Sequence, residues 1–248
     1  MNQLDITINE KNEEISQVIA DAIRIRTLVA DKVKGSRKFV SLGQNCSTAW
    51  YLKQLGLKVE SYPFDWVFSS PKIIEHCISD NFATYLNRAH ITNLGKSAGH
   101  DLYHSSFFNH RSPLKSEGDF QYYQRCCERF ENMLDSKYAV TFVVTLINEP
   151  LKRSVWANGF DRNYTMPSEQ GYESCLEMIK AIEIRHPNSK FIIIDHYTEG
   201  ARKIRWKDLS ENCGMITFTA KGTSNGVFYT NPFDNFLYNL LFTSFVSD

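Results

Sequence analysis

Residues 39–56 read FVSLGQNCSTAWYLKQLG. A β-rich run from Phe39 to Leu42 meets a turn at Gly43. Cys46 to Leu55 then carries helical spacing, with Asn45 placed to cap its start and Gly56 where a left-handed residue ends a helix. Strand, turn and helix form the opening unit of a layered fold. The same grammar recurs in KYAVTFVVTLI (137–147) and KFIIID (190–195), and MITFTA (215–220) is a further strand candidate. These runs are continuously apolar rather than alternating, which marks strands buried on both faces and so a mostly parallel sheet.

The helical patterns fall between the strands. From Glu13 to about Val33, apolar residues including Ile15, Val18, Ile19, Ala22 and Val29 recur at helical spacing, while residues 1–10 read as poorly ordered. Pro71 to Ile78 starts with serines and a first-turn proline. Further helices are expected over 119–134, over 169–185 before Pro187, and after Asn231-Pro232, where Phe233, Phe236, Leu237, Leu240 and Leu241 form one apolar face. Residues 88–119 and 151–168, rich in Gly, Pro and polar residues, read as irregular excursions. The expected fold is three-layer α/β, an open, mostly parallel sheet with helices on both faces. It divides into an N-terminal helical extension (1–35) and one α/β domain (36–248). The extension either packs on the core or self-associates through residues 13–33.

Lys plus Arg and Asp plus Glu each total 28, a formal charge of zero, which argues against an extended basic face for nucleic acid or anionic lipid. No run of about 18 apolar residues appears, and MNQLDITINEKNEE lacks the pattern of a secretory signal. The expectation is a cytoplasmic protein without nucleic-acid or membrane partners, although an effector exported without such a signal would read identically. The six cysteines lack CxxC spacing and read as reduced thiols. No paired-histidine metal motif, P-loop, GxGxxG or GxSxG occurs, so neither a metal nor a cofactor is expected.

In an open parallel sheet, ligands gather beyond the carboxyl ends of the strands. The residues there are Gln44, Asn45, Cys46 and Ser47 after the first strand, Asn148 and Glu149 after the second, and Asp195 and His196 after the third. If the three strands are parallel neighbours, these groups converge into the inventory of a hydrolytic or acyl-transfer site. A thiol at a helix amino terminus is favoured as thiolate by the helix dipole and free amides, which can also hold an oxyanion. The competing reading of Cys46 is a small buried hydrophobe. Of the seven histidines, His110 and His196 are the candidate bases. YPFDWVF (62–68) sets Asp65 among aromatics beside Trp66, where a carboxylate either orients an imidazole or caps a turn.

SLGQNCSTAWYLKQLGL followed by SYPFDWVFSS resembles a bacterial family of unknown function labelled as papain-like cysteine peptidases. FFNH, YYQRCCERF and VTFVVTLINE extend the resemblance to about residue 149. It implies Cys46 as nucleophile, His110 as base and Asp65 as supporting carboxylate. Arg111 stands where an acidic residue is expected and Cys126 where a second arginine is usual. A papain-like fold would pair the cysteine helix with an antiparallel sheet carrying the histidine, whereas the periodicity here gives α/β.

The leading functional reading is a cysteine-dependent hydrolase or acyl transferase acting on a peptide, acyl or glycan substrate. One alternative is a module that binds glycans or nucleotide-sugars through residues 62–66 and the strand-end amides. Another is a glycan-modifying enzyme in which Asp195 and His196 replace His110.

Overall fold

The computed structural model describes residues 3–149 and 156–246, with side chains from residue 12 onward. In chain order the elements are α1 (Gln3–Val33), β1 (Lys38–Ser41), α2 (Ser47–Gln54), α3 (Pro71–Ser79), β2 (Ile91–Asn93), β3 (Ala98–His100) and β4 (His104–Phe108). There follow α4 (Glu117–Leu134), β5 (Val140–Ile147), α5 (Leu176–Arg185), β6 (Ser189–Tyr197), β7 (Lys203–Ser210), β8 (Cys213–Thr219) and α6 (Pro232–Phe242). The main sheet runs β1-β5-β6-β8-β7, parallel except for β7, which lies antiparallel to β8 at one edge.

Side-chain parity along the strands splits the interior into two cores. On the front face, Val40, Phe142, Val144, Phe191 and Ile193 pack with Ile73 and Ile74 of α3, Phe130 and Leu134 of α4, and Met178 and Ile182 of α5. On the rear face, Phe39, Val143, Ile192, Ile194, Ile216 and Phe218 meet α1, α2 and α6. The result is three layers with helices on both faces. Val18, Ala22, Ile25, Val29 and Val33 bury one side of α1 in the rear core. Each buried Val or Ile is worth roughly 1.5–3 kcal/mol, so packing holds this helix to the sheet.

Local chemistry fixes the helix ends. Ser70 accepts from the Ile73 amide and Pro71 opens α3; Ser116 accepts from the Asp119 amide at α4; Asn231 accepts from the Phe233 amide ahead of Pro232 at α6. At the end of α2, Gly56 adopts φ +70° while its amide reaches Lys53 O and the Leu57 amide reaches Leu52 O. That is the Schellman arrangement, in which a residue with a Cβ is strained.

The structure departs from the sequence expectation at several places. The helix expected over 169–185 is a short 3-10 turn, Tyr172–Cys175, followed by α5 from Leu176, with Gln170 outside both. α1 begins at Gln3 rather than near Glu13, and no Gly or Pro interrupts it. Residues 88–119 contain a three-stranded antiparallel sheet, β2-β3-β4, whose strands are too short to show a period. β7 is absent from the sequence expectation: its apolar residues alternate with Lys203, Arg205 and Lys207 because only one face of this edge strand is covered. On α6 the buried face is Leu237, Tyr238, Leu241 and Phe242, and Phe236 is exposed. Of the second irregular stretch, 151–168, residues 151–155 lie outside the described residues. Among the described residues, no helix is long and apolar enough to cross a membrane.

Candidate functional site

β1, β5 and β6 are consecutive parallel neighbours, so the segments following them emerge along one edge. They do not form a single cluster. In register, Leu146 pairs with Asp195 and Ile147 with His196, and successive side chains point to opposite faces. Asn148 and Asp195 fall on the front face; His196 falls on the rear.

The rear group gathers around the start of α2. Cys46 occupies the N-cap position with φ −68° and ψ −9°, partly exposed, whereas the other five cysteines are buried; all six are thiols. Asn45, rather than acting as N-cap itself, accepts the Ser47 amide on Oδ1 at 3.0 Å and donates Nδ2 to Gly226 O at 3.3 Å. Thr48 donates to Thr145 Oγ1 at 2.7 Å, pinning the first turn of α2 to β5. A Cβ on Gly43 would lie 2.2 Å from Thr48 Oγ1, so only glycine permits this approach. Asn45 and Ser47, the neighbours of Cys46, line a small cavity of ≈ 10 Å³ with Thr145, His196, Ser224 and Tyr229. It holds about one water molecule. The His196 ring meets the Tyr229 ring edge-on at 5.2 Å. Beside it Glu149, 1% exposed, accepts from Ser224 Oγ at 2.9 Å.

On the front face, four buried side chains form an amide network. Gln44 and Gln170 exchange reciprocal side-chain hydrogen bonds, and Gln44 Oε1 also accepts the Ile147 amide at 2.7 Å. Gln170 Nε2 donates to Ile147 O at 3.0 Å, and its backbone amide donates to Asn148 Oδ1 at 3.0 Å. Asn148 Nδ2 donates in turn to Asp195 Oδ1 and to Gln170 O. Burial pushes the Asp195 carboxyl up to about 6, against the pull of the Asn148 donor. These amides tie the loop carrying Cys46 to the end of β5.

Asp65 and His110 each have a separate set of partners. Asp65, 1% exposed, sits 2.8 Å from Lys58 Nζ and accepts the Tyr62 amide at 2.8 Å. Its carboxyl is pushed up to about 6 by burial, opposed by Lys58, the Tyr62 amide and Arg129. His110 is exposed two residues past β4, edge-on to the Trp66 ring at 6.2 Å. A chain of contacts relates it to the thiol loop: Phe68 N donates to Phe107 O, and Ser69 donates to Gln44 O and, through Oγ, to Gly43 O. His104 is fully engaged, donating to Trp156 O and accepting from the Ser106 amide, and burial pushes its pKa down. Arg111 pairs with Asp119 at 2.9 Å and stacks on Tyr122; Cys126 is buried with Arg129 3.8 Å away. Tyr62 and Phe64 belong to the front core, so within 62–66 only Trp66 presents a partly open ring.

Sequence reasoning missed Thr145, Gln170, Ser224 and Tyr229. Thr145 leaves a trace as a hydroxyl inside an apolar strand; Ser224 and Tyr229 sit outside every expected element, and Gln170 falls in the stretch expected to be helical. Among the described residues, no group of three or more His, Cys, Asp or Glu could hold a metal ion.

Residues 37–114 match a family model described as "Putative papain-like cysteine peptidase (DUF1796)". The matched segment holds β1, α2, α3 and the small antiparallel sheet, and includes Cys46, Asp65 and His110. Asn148, Glu149, Asp195 and His196 lie outside it. Over 48 residues the chain is 48% identical to an uncharacterized protein of Acanthamoeba polyphaga mimivirus, covering 19% of this chain and 22% of that protein. The chain thus spans about a fifth of the length of that relative. No solved structure matches. The family match supports cysteine-peptidase chemistry as the general kind of function.

Proposed function

We propose that this chain is a cysteine-dependent hydrolase or acyl transferase with Cys46 as nucleophile. The observation that carries the reading is the placement of Cys46: a partly exposed thiol at the N-cap of α2, on the carboxyl edge of a parallel sheet, inside the segment matching the peptidase family. A histidine removes the Sγ proton, and the sulfur attacks the carbonyl carbon of an amide or ester. The first-turn amides of α2 after Ser47, whose own amide is held by Asn45 Oδ1, have no partner within the helix and receive the oxyanion. The carbon–nitrogen or carbon–oxygen bond breaks and the leaving group takes the proton. Water, or an acceptor nucleophile in the transferase case, releases the acyl group from sulfur.

Two histidines compete for the base. The family segment favours His110. The geometry favours His196, which lines the same small cavity as the two residues flanking Cys46. We assign the base to His196. The test is alkylation by iodoacetamide at pH 6, read by mass spectrometry of the Cys46 peptide. Cys46 is expected to react faster than glutathione, and His196→Ala to slow turnover about 100-fold while His110→Ala leaves it within a few-fold. A Cys46 no faster than glutathione refutes the nucleophile, and the reverse pattern of histidine effects refutes the base.

A further inference from the structure

A groove opens on the front face between α3 and residues 163–178. It consists of two pockets of ≈ 270 Å³ and ≈ 490 Å³ that share Pro71, Lys72 and Ser174. The combined space is in the range of sites that enclose a ligand. Its inner end is lined by Ser70, Met166, Pro167 and Gln170. That end abuts the thiol loop. Gln170 is bonded to Gln44, two residues before Cys46; Gln44 Nε2 lies 4.0 Å from Met166 Sδ; and Ser69, next to Ser70, is bonded to Gly43 O and Gln44 O.

The outer end has a different chemistry. Glu75, Glu173 and Glu177 line it with His76 and Tyr164. Three carboxylates therefore face this end. The cations set against them are Lys72 on the groove wall and Lys180, held 2.8 Å from Glu177. The Tyr164 ring, edge-on to His76 at 5.8 Å, adds an aromatic surface of the kind that attracts cations.

We propose that this groove binds a peptide substrate, seating an apolar residue against Met166 and Pro167 and a lysine or arginine side chain among Glu75, Glu173 and Glu177. The proposal rests on the thiol-hydrolase reading for what happens to the peptide, but not for its binding. Charge complementarity selects the occupant: a net excess of carboxylates beside an apolar inner end fits a basic peptide and rejects an acidic one.

The experiment uses the full chain carrying Cys46→Ala and capped, fluorescein-labelled octapeptides of alanine and leucine with one lysine scanned through each position. A matched set carries norleucine in place of lysine. Anisotropy at 50 mM salt is expected to show at least one lysine position binding about tenfold tighter than its norleucine partner, with the advantage falling to under about threefold at 500 mM salt. Adding Glu75→Gln, Glu173→Gln and Glu177→Gln together is expected to remove the advantage at low salt. Equal affinity of the two sets, no measurable binding by either, or an advantage that survives the three substitutions overturns the groove. Alkylation of wild-type Cys46 separates this from the reaction itself. Lysine-selective binding beside an inert thiol sinks the hydrolase and keeps the groove, whereas a reactive thiol without lysine preference sinks the groove alone.

Discussion

Replacing Lys58 by Met tests what Asp65 is for. The two side chains meet at 2.8 Å with 8% and 1% exposure, and Lys58 also donates to Glu60 O and Ser61 Oγ. Burial nevertheless prevails, and the Asp65 carboxyl sits at about 6 against an ordinary value of 3.8. A raised folded pKa means that the folded state binds more protons between those two values. Stability therefore falls as pH rises through that window, by about 1.4 kcal/mol per pH unit and roughly 3 kcal/mol in all, and is level above it. Methionine keeps most of the apolar stem of Lys58 but removes the main attraction opposing burial, so the carboxyl of the variant titrates above 6 and its stability keeps falling where the wild type has levelled off. The destabilisation should be larger at pH 7.5 than at pH 5.5 by up to about 2 kcal/mol, the product of about 1.4 kcal/mol per unit and the interval above 6 over which the variant still titrates. Urea unfolding at the two pH values, extrapolated linearly, measures both differences. The Cys46 alkylation rate should stay unchanged, because Asp65 here anchors Lys58 and the Tyr62 turn. A destabilisation equal at both pH values refutes the ion-pair account, and slowed alkylation in a fully folded variant would return Asp65 to the catalytic machinery.

Gln170→Ala strips partners from Gln44 and from Ile147 O, and is expected to cost roughly 2–3 kcal/mol in urea unfolding and to slow Cys46 alkylation by loosening its loop. Gly43→Ala drives a methyl to within 2.2 Å of Thr48 Oγ1; forced displacement of the first turn of α2 should cost about 1–3 kcal/mol, seen as a lowered urea midpoint. Arg202→Met leaves Asp234, fully buried and bonded otherwise to the Gly222 amide, without its cation, and should destabilise by about 3–5 kcal/mol in the same assay.

The parallel sheet is legible in the sequence because β5 and β6 are buried on both faces, and a strand covered above and below needs an unbroken apolar run such as FVVTLI or FIII. The caps at Ser70 and Asn231 and the left-handed Gly56 are legible because each depends on one residue type at one place. β2 to β4 stay hidden because strands of three to five residues carry almost no period, and β7 because an edge strand covered on one side resembles a polar loop. On α6, Phe236 and Leu237 are equally apolar. Tertiary partners decide which side turns inward: Thr145, whose Oγ1 lies 3.5 Å from the Tyr238 hydroxyl, and the Tyr51, Phe218 and Tyr229 rings packed against Tyr238. At the site, the partly exposed thiol is readable from its place after a strand. The partners of the thiol loop, Gln170 and Gly226, come from loops whose return to the sheet edge no local pattern announces.

Strand parity also decides which strand-end groups can act together. Asp195 and His196 are adjacent in sequence and invite pairing, yet the sheet lies between their side chains: Asp195 meets Asn148 on the front face, while His196 meets Tyr229 on the rear. A base at His196 therefore draws nothing from Asp195. The carboxylate available on its own face is Glu149, held through Ser224, which lines the same cavity as His196. The front-face network of Gln44, Gln170, Asn148 and Asp195 has a different place: it fixes the loop before Cys46 and, through Gln170, reaches the inner end of the groove. If the proposed roles hold, one sheet edge divides the work by face: proton chemistry behind the thiol, and substrate contact in front of it.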